Sequence, residues 1–289
     1  MTVKGFLLDC AKKALRWHAG LSLHTIQVDD HRWVYLEGGK GDTILFVHGF
    51  GMEKDGWGLF PKAFAGSYRL ILPDLPGFGE NSRLESAPYD VASQVKRLNR
   101  FAESLGLDRF HLAGSSMGGY IAGFYASEYP EKVRSLALFN PAGVNSPAQD
   151  DMWRRYADTG EIALVYRTKE GFEDILRILF YRPPPVPGAL KTYFAELGAS
   201  NYAFYRKVLR DLEQGGRYQL DARLPRVEAG TLVVWGANDR ILHVSGAESF
   251  RKGLRDVKVV ILDQCGHAPF FEKRKETTKA YQDFLAGKK

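Results

Sequence analysis

Cysteine is scarce: Cys10 and Cys265 are the two in 289 residues. Two thiols so far apart in sequence make neither a disulfide framework nor a spaced metal cluster, and they fit a reducing compartment. Long apolar runs are missing as well. None reaches the roughly 18–20 residues needed to span a bilayer. No small-residue cleavage pattern follows an apolar stretch near the amino terminus, so no cleaved leader is expected. Blocks of one charge sign are also lacking. Net charge is +6 and pI about 9.1, yet bases interleave with acids, as in Glu272-Lys273-Arg274-Lys275-Glu276. That is a mixed solvated face with at most weak pull on anionic surfaces, and no nucleic-acid partner is expected. What remains is a globular composition, 45% hydrophobic and 26% charged, long enough for one large core with an insertion.

Strand and helix signals alternate along most of the chain. Residues 22–28 and 32–36 read as alternating strands joined by an Asp-Asp turn. Residues 43–47, 69–72, 109–113, 133–139, 231–235 and 257–262 are apolar runs of buried-strand type. A helical stripe runs through Val91, Val95, Leu98, Phe101, Ala102 and Leu105, and Gly106 stops it. A final helix is expected over 274–286. The pattern predicts an α/β fold: a mostly parallel eight-stranded sheet, helices on both faces and an antiparallel opening pair.

The rhythm breaks between residues 144 and 220, which hold helical patterns, dense aromatics and the stiff run 183–188. Placed over the carboxyl edge of the sheet, this insertion would act as a lid. The core would then comprise 22–143 and 221–289. Some lid aromatics would line an acyl pocket and most would pack among themselves. Ahead of the core, residues 1–21 hold an amphipathic helix. Phe6, Leu7, Leu8, Cys10, Ala11, Ala14, Leu15 and Trp17 share one broad face; Asp9, Lys12, Lys13 and Arg16 share the other. Such a helix either lies on its own domain or rests weakly and reversibly on a membrane. In the second case Trp17 sits at headgroup depth and the basic face turns toward lipid phosphate.

Chemistry is concentrated at Gly114-Ser115-Ser116-Met117-Gly118, between a strand and a helix. In that context Gly-x-Ser-x-Gly reads as a nucleophile elbow: a strained turn that holds Ser116 Oγ clear of the backbone. A serine needs a base within hydrogen-bond reach and an acid behind that base. His267 lies just beyond an apolar strand and is the expected base, with His243 second. Asp239, also just past a strand end, is the expected acid; Asp74 and Asp263 are rivals, Asp74 looking structural in its Pro-bounded turn. An alternative acid position after residue 139 reads Asn140, which cannot stabilise an imidazolium by charge. The backbone amides of Phe50 and Met117 are the expected oxyanion donors. His48 reads as an orienting residue of the Phe50 loop.

Over nearly its whole length the chain resembles serine hydrolases of the alpha/beta-hydrolase fold. The likeness rests on His48-Gly49-Phe50-Gly51, Asp74-Leu75-Pro76-Gly77-Phe78-Gly79, Gly114-Ser115-Ser116-Met117-Gly118-Gly119, Trp235-Gly236 with Asp239, and Gly266-His267. Within that fold it is similar to membrane-associated monoacylglycerol lipases and related bacterial lipases and phospholipases. Asn140-Pro141-Ala142-Gly143, Phe204-Tyr205-Arg206-Lys207, Val244-Ser245-Gly246-Ala247 and Gln264-Cys265-Gly266-His267 carry that likeness. Members of the group often carry an N-terminal transmembrane helix, where this chain has the short amphipathic segment. The resemblance implies esterase or lipase action on a small acyl ester or lipid, without metal or organic cofactor. The expected location is the cytoplasm or the membrane periphery. Two alternatives stand beside it: a carbon–carbon bond hydrolase of the meta-cleavage type, and a ligand-binding protein that keeps the fold without turnover.

Overall fold

A computed structural model describes residues 3–146, 148 and 151–287, and the side chains of Phe6 and Leu7 lie outside that description. Eight strands form one sheet in the order β1-β2-β4-β3-β5-β6-β7-β8. They are β1 Leu21–Val28, β2 His31–Gly38, β3 Asp42–Val47, β4 Tyr68–Pro73, β5 Phe110–Ser115, β6 Val133–Phe139, β7 Thr231–Gly236 and β8 Val257–Leu262. β2 is antiparallel to both β1 and β4, and the other pairs are parallel. Interior strands are continuous apolar runs because both faces are covered. In β3, Leu45 and Val47 enter one core while Ile44 and Phe46 enter the other; Val233 and Trp235 part from Leu232 and Val234 in β7 the same way.

On the first face lie α2 (Val91–Ser104), α3 (Met117–Glu128) and α7 (Ala247–Gly253); on the second lie α8 (Pro269–Glu272) and α9 (Arg274–Ala286). α2 starts where the Asp90 carboxylate accepts the Ser93 N–H at 2.9 Å. It buries Val91, Val95, Leu98, Phe101 and Ala102 and gives out before Gly106, at φ +65°. α3 comes unusually close to the sheet. A Cβ on Gly118 would sit 2.1 Å from the Val47 carbonyl oxygen, so only glycine fits there.

Three helices enter between β6 and β7: α4 (Asp151–Thr159), α5 (Lys169–Leu179) and α6 (Gly188–Gln214). Met152, Ile162, Phe172 and Ile175 cluster in a small core of their own, where Phe172 stacks on Phe194 at 5.0 Å. Residues 183–187 run without helix between α5 and α6, as a proline-rich run must.

The first helix, α1 (Val3–Ala19), docks opposite to the simplest expectation. Its basic edge faces inward: Arg16 forks onto both oxygens of Asp55 at 2.7 and 2.6 Å, and Lys12 pairs with Glu53. Leu8 and Leu15 are half-buried and Ala19 is buried, whereas Cys10, Ala11 and Ala14 are exposed and Trp17 is 83% exposed. The helix thus lies on its own domain with much of its apolar edge facing out. The arrangement with Lys12 and Arg16 turned to lipid phosphate is corrected, because acidic loop residues occupy both.

Beneath α1 a buried charge cluster continues the contact. Lys54 and Asp74 are both fully buried; Lys54 Nζ donates to Asp74 at 2.8 Å and to Glu80 at 2.6 Å, and Asp74 also accepts the Lys54 and Glu80 backbone N–H groups. Asp74 is structural, as its turn suggested. Removing one partner of a buried pair strands the other charge, at a cost of about 3–5 kcal/mol. Lys54→Met should therefore lower unfolding free energy by about 3–5 kcal/mol in urea melts. A loss below about 1 kcal/mol would show the pair to be dispensable.

Candidate active site

Ser116 stands at the turn from β5 into α3 with φ 57° and ψ −121°, a conformation that side-chain-bearing residues avoid. The turn is fixed from both sides: Ser116 N–H donates to the Phe139 carbonyl at 3.0 Å, and Ser116 O accepts from Ala142 and Tyr120. Met117 opens the helix, so its N–H has no partner within it. Phe50, in the loop after β3, shares a cleft wall with Ser116 and Met117. That loop is positioned by His48, whose Nδ1 sits 2.8 Å from the Gly49 carbonyl while Nε2 accepts the Leu75 N–H at 2.9 Å. Those two contacts require the neutral ring with its proton on Nδ1. Burial lowers the His48 pKa, in keeping with that state. His48 is thus an orienting residue.

Asp239 and His267 meet at the same edge. His267 Nδ1 lies 2.7 Å from Asp239 Oδ2, with both side chains almost wholly enclosed. Asp239 Oδ1 accepts from the backbone of Ile241 at 2.8 Å and of Leu242 at 3.1 Å. Its Oδ2 takes a further bond of 2.5 Å from Asn140 Nδ2. Four donors thus occupy the carboxylate. The His267 N–H donates to the Leu179 carbonyl at 2.7 Å, and Glu272 accepts from Gly266 at 2.7 Å and from Tyr181 at 2.7 Å. Ser116 Oγ makes no hydrogen bond among the described residues.

The rivals sit elsewhere. Asp263 is exposed, and His243 Nδ1 accepts the Ser245 N–H at 3.1 Å, capping a short turn in the cleft wall. Cys265, two residues before His267, is buried, and burial pushes its thiol up to about 12. A cleft with a cavity volume of about 100 Å³, partly open to solvent, lies between α3, α6 and the loops after β6 and β7. Pro141, Val144, Trp153, Leu209, Trp235 and Ile241 make most of its surface apolar. Of the insertion's aromatics Trp153 and Tyr218 line it; Tyr205 instead packs on Phe50 at 5.4 Å.

A serine elbow, a carboxylate–imidazole pair and backbone donors at the carboxyl edge of this sheet define an alpha/beta hydrolase, and residues 44–280 match the alpha/beta hydrolase family, to which the chain belongs. Among its relatives, monoacylglycerol lipase ABHD6 of Homo sapiens is 31% identical over 92% of this chain and 83% of that protein. Lipase 3 of Moraxella sp. (strain TA144) is 31% identical over 89% of this chain and 82% of its own. The structure is similar to that of a membrane phospholipase A described as a bacterial virulence factor, with a TM-score of 0.95 and 41% identity over 99% of this chain and 92% of the other. A meta-cleavage product hydrolase from Pseudomonas fluorescens IP01 shares the fold at a TM-score of 0.80 and 20% identity, over 92% of this chain and 98% of its own.

Two residues of the site escaped the sequence reading. Asn140 was weighed as an acid and set aside, which overlooked its side chain as a donor. Glu272, five residues beyond His267, carried no signal beyond its place on a short helix. Asn140 holds φ +44°, which Asn tolerates better than other side chains and glycine adopts freely. Asn140→Ala should cost about 2–3 kcal/mol, combining the lost bond to Asp239 with backbone strain. Asn140→Gly, which keeps only the first loss, should cost less; equal losses in urea melts would show that the backbone there is unstrained.

Proposed function

We propose that this chain is a serine carboxylic-ester hydrolase acting on a monoacyl lipid through an acyl-enzyme. The observation that carries the reading is the strained Ser116 in the wall of an apolar cleft, at the same carboxyl edge of the sheet as the buried Asp239–His267 pair. Lipases among its relatives support a lipid ester as substrate. Ser116 Oγ attacks the ester carbonyl as His267 Nε2 takes its proton; Asp239 holds the ring with its Nδ1 proton inward and stabilises the imidazolium. The Phe50 and Met117 amides bind the oxyanion, each contributing about 3 kcal/mol to barrier lowering. His267 then protonates the leaving alcohol, and water repeats the sequence to free the acid. A contact between nucleophile and base that is open at rest and closes on substrate is common in such sites. Helices α4–α6, within 144–220, serve as lid over a core of 22–143 and 221–289.

Ser116→Ala should abolish p-nitrophenyl ester hydrolysis, by 10³-fold or more in kcat. Equal rates in the two proteins would end the reading and favour a binding protein. Asp239→Asn should lower kcat by about 10³–10⁴-fold with the fold intact by circular dichroism; an unchanged kcat would point to another acid.

α1 is the element that would meet a lipid surface. Cys10, Ala14 and Trp17 follow one another at helical spacing on its outer side, all exposed, with Lys13 beside them. No described helix is long and apolar enough to cross a membrane, so the contact would be peripheral and reversible. The protein should co-sediment with phosphatidylglycerol vesicles, and Trp17→Ala should weaken that binding roughly tenfold. Vesicle-independent rates with no co-sedimentation would remove α1 from the account.

A further inference from the structure

The backbone leading into His267 is held by two sets of partners. Its carbonyls go to the core: Cys265 O accepts the Asn238 N–H at 2.9 Å, and Gly266 O accepts from Asn140 Nδ2 at 3.3 Å. Its N–H groups go elsewhere: Gly266 donates to Glu272 Oε1 at 2.7 Å and His267 to the Leu179 carbonyl at 2.7 Å. Leu179 ends α5, so its carbonyl has no partner within that helix and His267 satisfies it. At Phe180 the chain turns extended, with φ −112° and ψ 141°. That course brings the Tyr181 and Arg182 N–H groups to Glu272 Oε2, at 2.7 and 3.3 Å. The approach is tight. A Cβ on Gly266 would lie 2.5 Å from Leu179 O and 2.8 Å from Tyr181 N, so a larger residue would push the insertion away.

Glu272 therefore serves two segments, one with each oxygen: the histidine loop through Oε1 and the insertion through Oε2. Among the described residues its hydrogen-bond partners are all backbone N–H groups. Only a carboxylate can accept on both sides. A carboxamide has one acceptor and would set an NH₂ against an N–H on the other side. Aspartate keeps the charge but is one methylene too short to span the gap. Gly266 precedes His267, so a displaced Gly266 peptide moves the imidazole, whose Nδ1 lies 2.7 Å from Asp239 Oδ2. Leu179, Tyr181 and Glu272 themselves lie outside the cleft lining.

We propose that Glu272 is a positioning residue for His267, through which the insertion serves the chemical step as well as covering the cleft. The inference rests on the ester-hydrolase reading, in which His267 acts in both acylation and deacylation. A base displaced by about 1 Å can cost on the order of 100-fold in rate. Both steps pass through the same imidazole, so both slow alike when it shifts, and KM stays nearly constant while kcat falls.

The test uses p-nitrophenyl butyrate, an ester short enough to need little cover. Glu272→Gln should lower kcat about 10–100-fold with KM within about twofold. Unchanged kcat, or a change in KM alone, overturns the proposal. Glu173→Gln, which breaks an ion pair with Lys191 on α5, should leave kcat where it is; an equal fall there would show that any disturbance of α5 suffices and overturns the role of Glu272. The second arm adds Glu272→Gln to His267→Ala. A residue acting through His267 has nothing left to act on, so the residual rate should stay within about twofold. A fall as large as in the native background overturns the proposal, because it marks a general loss of structure. Should Glu272→Gln fail to fold, Glu272→Asp carries the same cycle. The third arm needs no turnover: the low-field proton resonance of His267 Nδ1, identified by its absence from His267→Ala. In Glu272→Gln it should exchange with solvent about tenfold faster, and an unaltered signal overturns the proposal. Were no ester hydrolysed by the native protein, the hydrolase reading would fall, while this signal still decided whether Glu272 holds the imidazole.

Discussion

Four donors on the carboxylate of Asp239 tie together segments that are far apart in sequence. Asn140 brings the end of β6, Ile241 and Leu242 the loop after β7, and His267 the loop after β8. A buried carboxylate left without such donors is costly, so each segment is held by the demand of one group. The dependence reaches the insertion, because the His267 N–H rests on the last carbonyl of α5 and Glu272 joins Gly266 to Tyr181. An insertion hydrogen-bonded to the histidine loop cannot move far without moving His267, the proposed base.

The sheet was legible because its strands are buried on both faces and therefore apolar without interruption, as in residues 133–139 and 231–235. The elbow was legible because glycines flank a serine between a strand and a helix. Asp239 and His267 could be picked out because each falls just past a strand end. Asn140 could not, since its bond to a residue 99 positions away leaves no trace in local pattern. The helical wheel sorted the residues of α1 correctly by chemistry but could not say which side turns inward. That choice belongs to Glu53, Asp55 and Glu80, three loop acids with no periodic signature.

Asp74 and Glu80 also hold the glycine-containing loop after β3 that carries Phe50, the proposed oxyanion donor. Burial works to lower the Lys54 pKa, yet Asp74 and Glu80 hold it above its ordinary value. The ammonium therefore stays charged and pins the segment after Phe50 to the loop after β4. His48 adds a neutral bridge between the same two loops. Buried ion clusters seldom add net stability; here the cluster ties the segment after Phe50 to the loop after β4. Preorganised donors of that kind are what lower a barrier.

The cleft and its rim together favour an amphiphile over a small soluble ester. Trp153, Leu209 and Ile241 offer mostly apolar surface, so affinity for an acyl chain would come chiefly from hydrocarbon displacing water. An unpaired charged headgroup buried among those side chains would be costly, so it stays toward solvent. In the proposed reaction the headgroup lies on the leaving alcohol and changes little during attack on the carbonyl. Contacts to it would therefore be much the same in ground and transition states and would act on KM rather than on kcat. Once the acyl-enzyme forms, the headgroup is no longer tethered to the hydrocarbon, and weak exposed contacts let it go. Solvent-facing contacts thus suit release of the headgroup better than a buried pocket, which would hold the product as firmly as the substrate.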